Sequence, residues 1–554
     1  MKLSGSQIIL KVLKEKGIDT MFGYPGGAVI PFFDALYDEL DYFKLYRPAH
    51  EQNGVHAADG YARSTGKLGV MVATSGPGAT NTITGIANAY MDSTPLLVIT
   101  GQVANTLIGK DSFQEVDITG LTLSVTKHNY LVRKVENLEA VMREAIDVAL
   151  EGRPGPVLVD VPKDVFVKQC EFKGINDEST SAYGNEIVVP DNEALNKASE
   201  LINNAKKPVI YAGGGIRISK NDELLLELAE KTGIPVANSF MGLGTIPRNN
   251  KLSLGFVGMH GSVETNMAVT NCDLLIAIGA RFSDRVIGNP DKFAPGAKII
   301  HIDIDSTEID KNTSECIPLI GDMKSILLHL IENTDKKDRS GWLDEIMSNK
   351  VKSEIEVQFI PENILHIINK VYSQNAIVVT DVGQHQMWTG QFWEFNKSNE
   401  FITSGGLGTM GFGFGAAIGA QIGNPNKKTI FITGDGSFRM SCEELVTISK
   451  YKLPIKIIML NNNTLGMVRQ WQRMFSNARY SETDNSDNVN YEKLVDAYGI
   501  KGYKAESLKE LNDIIQNTHN INESIFIECR ISPECSVYPI VPPGRSIDEL
   551  LLNG

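Results

Sequence analysis

Apolar residues recur along this chain in two alternating periods. Near the start "SGSQIILKVLKEKG" spaces them at helical intervals; "LGVMVATSGPG", "PLLVITGQ" and "GPVLVDVPKDV" then run unbroken into glycine, proline or polar residues. Such bounded runs are strands buried on both faces, and their alternation with amphipathic helices predicts a parallel sheet covered by helices. After the polar interval 173–186 the scheme restarts in "KKPVIYAGGGI", "CDLLIAIGARF" and "AKIIHIDID". The charged segment 333–354 marks another boundary, followed by "NAIVVTDVGQHQMW", "KKTIFITGDGSF" and "PIKIIMLNN". The chain is therefore expected to be α/β, with three consecutive domains, each a mainly parallel sheet flanked by helices, over 1–165, 190–335 and 358–530, and a tail over 531–554. Its 554 residues are too many for one core, which agrees.

In open parallel sheets ligands sit beyond the carboxyl ends of the strands. In the third repeat a strand over 429–433 delivers Asp435, a helix follows over 442–451, and a strand over 454–460 delivers Asn461, Asn462 and Asn463. A crossover of this kind lays the two strands parallel and adjacent, so Asp435 and Asn462 converge. Carboxylate and amide oxygens suit Mg²⁺, which also binds substrate phosphates. Gly434 and Gly436 let backbone N–H groups approach such phosphates. The plain alternative is two loop ends whose Asp and Asn cap turns.

Composition narrows the partners. Lys and Arg number 53 against 67 Asp and Glu, a net charge of −14, which argues against a general binder of nucleic acid or anionic membrane. Six cysteines without a C-x-x-C pair suggest neither a disulfide framework nor zinc. The amino terminus lacks a signal-peptide apolar core and no run reaches membrane-spanning length, so a soluble, cytoplasmic protein is expected.

Gly-Asp-Gly answered by Asn-Asn resembles the fingerprint of thiamine-diphosphate (ThDP) enzymes. That resemblance implies that Asp435, Asn462 and the backbone carbonyl of Thr464 hold Mg²⁺. It lays the ThDP diphosphate against Gly383, Gln384 and His385 of "DVGQHQ" and against Gly434, Asp435, Gly436 and Ser437. Glu51 of "HEQNGVHAADGYAR" would exchange a proton with the aminopyrimidine, beside Pro77, Gly78 and Asn81 of "SGPGATN". Gly408 and Met410 of "GLGTMGFG" would hold the cofactor bent, making proton transfer intramolecular. Taken alone, Glu51 reads equally as an acid favoured at a helix amino terminus, and His385 as an ordinary loop histidine.

Further stretches, among them "GYPGGAVIPFFDAL", "FQEVDITG", "KHNYLV", "GMHG", "GARFSDRV" and "LGMVRQWQ", extend the resemblance over nearly the whole chain. It is most specific to the acetohydroxyacid synthase (acetolactate synthase) large catalytic subunits of biosynthetic type. Such enzymes decarboxylate pyruvate on ThDP and condense the hydroxyethyl carbanion with a second pyruvate or with 2-ketobutyrate, the first common step of branched-chain amino acid biosynthesis. The resemblance implies catalytic roles for Gln114 and Lys163, and a second-substrate site built from Phe113, Arg285, Met467 and Trp471, with Met467 also touching ThDP. It implies FAD in a structural, non-redox role on Gly213, Gly214, Gly215, Arg217, Met259, His260, Arg281, Asp303 and Asp322. It further implies a homodimer or homotetramer with active sites at the subunit interface, and a separate small regulatory subunit. Commoner fates stand beside these roles: Lys163 a solvated charge, Arg285 half of a surface ion pair, Trp471 core, "YAGGGIR" a tight connection. An FAD- and ThDP-dependent pyruvate oxidase, a catabolic acetolactate synthase and a silent ThDP-binding subunit remain alternatives. Two departures from the family pattern, Phe414-Gly415 where Leu-Pro is common and Ala49 where Arg often precedes the histidine, lie off the proposed ligands.

Overall fold

The computed structural model describes residues 1–174, 190–313, 315–351, 358–372, 375–486 and 489–553. The polar interval 173–186 lies almost wholly outside them. Three six-stranded sheets, all parallel, follow one another along the chain. Numbered within each sheet in chain order, the first and third share the strand order 2-1-3-4-6-5, and the middle one has 3-2-1-4-5-6, the order of doubly wound dinucleotide-binding sheets. A short antiparallel pair, Lys2–Ser4 with Gln169–Glu171, closes the first unit.

Local chemistry explains the elements. Helix Gly5–Glu15 opens on a reciprocal capping box between Ser4 and Gln7. Helix Glu51–Thr65 begins where the His50 ring accepts from Gln52 N and ends at Gly66 in the left-handed conformation. This helix is buried on almost every side, because it packs face to face on helix Phe412–Gly423. Both connect strands 2 and 3 of their sheets, so the first and third units meet through equivalent elements and share one hydrophobic core. The approach is very close: a Cβ on Gly419 would lie 1.8 Å from Ala57 O, and one on Gly60 2.1 Å from Ala416 O. Gly415 also lies at this crossing, facing the Asn53 carbonyl, while Phe414 packs edge-on to Phe431; the departure Phe414-Gly415 serves this contact.

The expected strands are present, from Gly69–Ala73 to Ile455–Asn461. Two expectations need correcting. The helix over 442–451 is a 3-10 turn, Cys442–Glu444, running into helix Leu445–Lys450. The charged segment 333–354 is more than a boundary, because it contains helix Ser340–Ser348, whose Trp342 and Ile346 join the middle core and whose Trp342 Nε1 donates to Pro208 O. The tail packs on the middle unit through Ile547, and Val541 N donates to Met259 O. No helix among the described residues is long and apolar enough to cross a membrane.

Candidate active site

Strand Lys428–Gly434 passes directly into the short helix Asp435–Arg439, which leaves Asp435 buried at the strand exit. The neighbouring strand Ile455–Asn461 delivers Asn462 beside it, and Asn463, with φ of 53°, reverses the chain in a conformation asparagine tolerates. The orientation of the Asn462 amide follows from its neighbours. Gln470 exchanges two hydrogen bonds with the Val537 backbone, which fixes its amide. Gln384 Nε2 donates to Gln470 Oε1 (2.9 Å) and to the Cys535 carbonyl (3.1 Å), so Gln384 Oε1 must accept from Asn462 Nδ2 (3.0 Å). The Asn462 oxygen then stands 2.9 Å from Thr464 O and 3.2 Å from Asp435 Oδ1, its one donor a 3.3 Å contact from Thr464 N. Reversing the amide would relieve these contacts but press its oxygen against Gln384 Oε1. Three converging oxygens, one of them a carboxylate, form a cradle for a hard cation. Burial lifts Asp435 to about 6, opposed by the Asn485 amide that donates to Oδ2 (2.9 Å).

The wall beside this cradle is built from the first helical turn after strand Ala376–Thr380. Gly383 has φ of 149°, and a Cβ on Gly434 would stand 2.9 Å from His385 Nδ1, so both glycines make room for the ring. Burial pushes His385 down to about 3, which keeps it neutral, and its buried Nε2 has no partner among the described residues. The unspent imidazole nitrogen is a polar atom left for a ligand to meet. Ser437 Oγ donates to Val382 O, and a Cβ on Gly436 would meet Leu465 Cδ2 at 2.7 Å and Met410 Cε at 3.6 Å. Asp381, fully buried and raised to about 6 by that burial, accepts from Gly411 N and Gly413 N and so anchors the loop carrying Gly408 and Met410.

A second cluster gathers on the first sheet. Glu51 is the first residue of its helix, with Oε2 accepting from Asn81 Nδ2 (3.0 Å) and Oε1 3.3 Å from where a Gly78 Cβ would be. Pro77 opens the following short helix. Gln114 holds the left-handed φ of 59°, a strained state for a glutamine, against Gly76, whose Cβ would touch Gln114 Cα at 2.9 Å. Phe113 is 88% exposed and Lys163 is exposed at the start of its helix. Within one chain Glu51 makes its only side-chain hydrogen bond among the described residues to Asn81, not to the oxygen cradle.

The third assembly is a cavity of about 1810 Å³ at the carboxyl end of the middle sheet. Its floor lies between strands Pro208–Ala212 and Leu274–Ile278, where the strand order reverses. Gly214, Gly215, Arg217, Met259, His260, Arg281, Asp303 and Asp322 all line it; Gly213 does not, being packed against the Gly279 carbonyl instead. The Arg217 guanidinium makes no hydrogen bond or ion pair among the described residues, its Nε is orphaned, and burial lowers it to about 10. Asp92, Asp59 and Asp222 act on it only at a distance, and a buried guanidinium with no direct partner marks a place for an anionic group. Asp322 is already engaged as a helix cap for Ser325, and His260 is neutral, lowered by burial to about 4. Arg285, Met467 and Trp471 line the same cavity. Arg285 is exposed and 3.7 Å from Asp284, and Trp471 lies outside the packed cores, edge-on to Phe475. Neither Gln114, Phe113 nor Lys163 reaches this cavity.

Sequence reasoning missed Asp381, Gln470 and Asn485. Asp381 stands in "DVGQHQ" at a strand exit, a signal available in principle; Asn485 sits in a polar loop and nothing in the sequence sets it apart.

Comparison with known proteins agrees with this geometry. Family profiles described as thiamine pyrophosphate enzyme match in order: the N-terminal TPP binding domain over residues 3–121, the central domain over 195–330 and the C-terminal TPP binding domain over 381–529. Fold and site thus define a thiamine pyrophosphate enzyme. Among the relatives, the acetolactate synthase large subunit of Lactococcus lactis is 43% identical over 99% of this chain and 96% of its own length. The acetolactate synthase of Mycobacterium bovis is 41% identical over 99% and 91%, and the large subunit of Porphyra purpurea 41% over 99% and 95%. The chain belongs to the acetolactate synthase large-subunit family.

Proposed function

We propose that this chain is a carboligase that decarboxylates pyruvate and joins the remaining two-carbon unit to a second 2-oxoacid, giving 2-acetolactate or 2-aceto-2-hydroxybutyrate. Bound ThDP supplies the nucleophilic carbon and the electron sink for both halves of that reaction. Asp435, Asn462 and the Thr464 carbonyl hold Mg²⁺ and, through it, the diphosphate; Gly383, Gln384, His385 and Ser437 form the wall. Asn81 orients Glu51, whose carboxyl exchanges the proton with the pyrimidine ring. Arg285 takes the carboxylate of the second acid, a planar donor suited to bidentate pairing, while Met467 and Trp471 give its alkyl group an apolar surface. The cavity of the middle unit holds FAD, with Arg217 against an anionic part of it. Joining two oxoacids with loss of CO₂ transfers no net electrons, so the flavin is structural.

Glu51, Gln114 and Lys163 lie on one unit and the oxygen cradle on another. We therefore assign the working site to an interface between two chains, in a homodimer or homotetramer, with a separate small regulatory subunit. All six cysteines are unpaired, which suits a reducing cytoplasm.

The observation that carries this reading is the convergence of three oxygens at Asp435, Asn462 and Thr464 in a chain of this family. Incubation with pyruvate, ThDP, Mg²⁺ and FAD tests it. Acetolactate formed without an oxidant supports it; acetate or acetyl phosphate with bleaching of the flavin would overturn it in favour of an oxidase.

A further inference from the structure

The turn 91–94, between helix Ile83–Met91 and strand Leu96–Gln102, touches all three units. Arg281, on the cavity wall, donates to Met91 O (2.6 Å). Arg153 donates to Ser93 Oγ (2.9 Å) and also pairs with Asp305 and Glu308 of the middle unit. Ser93 itself holds a left-handed φ of 55°. Between them Asp92, whose side chain is wholly buried, accepts from Gly405 N (3.1 Å) and Gly406 N (2.7 Å) of the third unit and pairs with Arg63 (3.0 Å).

Asp59 and Asp92 pair with Arg63, which also donates to Thr403 O, and Arg217 stands within electrostatic reach of both carboxylates without bonding to either. Further donors are Asn88 Nδ2 and Thr94 Oγ1 on Asp59 and the two glycine amides on Asp92. If the loop left, a buried carboxylate would lose two of its donors, so loop and carboxylate hold one another. Asn88 adds a second grip through Ser404 Oγ and Thr409 Oγ1, and Ser404 Oγ accepts from Thr409 N. The segment so clamped leads straight to Gly408 and Met410.

The turn 91–94 and the loop residues Ser404–Gly408 stand side by side on the cavity wall. We propose that Asp92 is a positioning residue and that the turn 91–94 carries occupancy of the cavity into the loop 403–411, so that filling the cavity tightens, through Asp92, the loop facing ThDP. This rests on the functional reading above. Such coupling is reciprocal: the factor by which FAD raises affinity for ThDP is the factor by which ThDP raises affinity for FAD.

Hydrogen exchange of peptides covering 403–411 in the full-length protein, with and without FAD and with no ThDP present, tests the coupling. Calorimetric titration of ThDP with Mg²⁺ tests its consequence. In wild type FAD is expected to slow the exchange about fivefold, and Asp92→Asn to speed it about tenfold, weaken ThDP about tenfold and abolish the FAD effect. Arg153→Gln leaves Asp92 paired but frees Ser93; its basal exchange is expected to stay near wild type while the FAD effect falls by at least about half, which decides the matter should the Asp92 variant not fold. Unchanged exchange in Asp92→Asn, a full FAD effect in Arg153→Gln, or no FAD effect in wild type would overturn the proposal. Wild type that fails to bind ThDP would instead overturn the functional reading, a separate result.

Discussion

At the scale of single residues, the site depends on who orients whom. Glu51 is held by Asn81; if it carries the proton, as proposed, Glu51→Gln, which keeps the shape and loses the acid, is expected to cut acetolactate formation at least about 100-fold. ThDP with Mg²⁺ should still raise the melting temperature of that variant as in wild type, and near-normal turnover would remove Glu51 from its role. Asn485 donates to one oxygen of Asp435 and leaves the other free for the proposed cation. Asn485→Ala is expected to weaken Mg²⁺ about tenfold in a titration at saturating ThDP. Glu51, an ordinary acid at a helix start, stood out only through the resemblance, whereas Asp435 and Asn462 were legible in the sequence because each stands at a strand exit. Asn485, Gln470 and Asp92 were not, since their partners lie across turns that no local pattern encodes.

At the scale of elements, helix Glu51–Thr65 on helix Phe412–Gly423 shows what the sequence conveys and what it withholds. The strands were readable from their unbroken apolar runs. That these two helices would meet was not, because glycine and alanine announce small size without naming a partner. Gly419→Ala places a methyl group against the Ala57 carbonyl and is expected to cost about 1–3 kcal/mol, measured as a lower midpoint in urea. Strand Pro156–Pro162 carries Asp160, which accepts from Thr100 Oγ1 and Gln102 Nε2 while Gln102 also donates to Val116 O, tying down the loop of Gln114. Burial raises Asp160 to about 7. A carboxyl raised in the folded state contributes stability that is complete below its unfolded value, about 3.9, and is lost as pH rises through the folded one. Asp160→Asn should therefore melt with a flatter dependence on pH between 5 and 8 than wild type, by calorimetry; parallel curves would show that Asp160 does not titrate there.

At the scale of the whole molecule, the first unit exposes three large apolar side chains within ten residues of Gln114: Phe113, Leu121 and Leu123, the last 74% exposed. Side chains of this kind suit burial against a second chain. Leu123→Asp is expected to shift the oligomer toward monomer in sedimentation and to make specific activity fall on dilution at least about tenfold more steeply than in wild type. The repeated strand order 2-1-3-4-6-5 carries a separate lesson. Where the third lobe leaves its central strand with Asp435, the first leaves with Thr74 and no carboxylate; where the first lobe starts its crossover helix with Glu51, the third starts with Phe412. On the proposed reading the twin lobes divide one job, each keeping the group its counterpart lacks. Neither half would then be a spare copy of the other, and a working centre would require one of each.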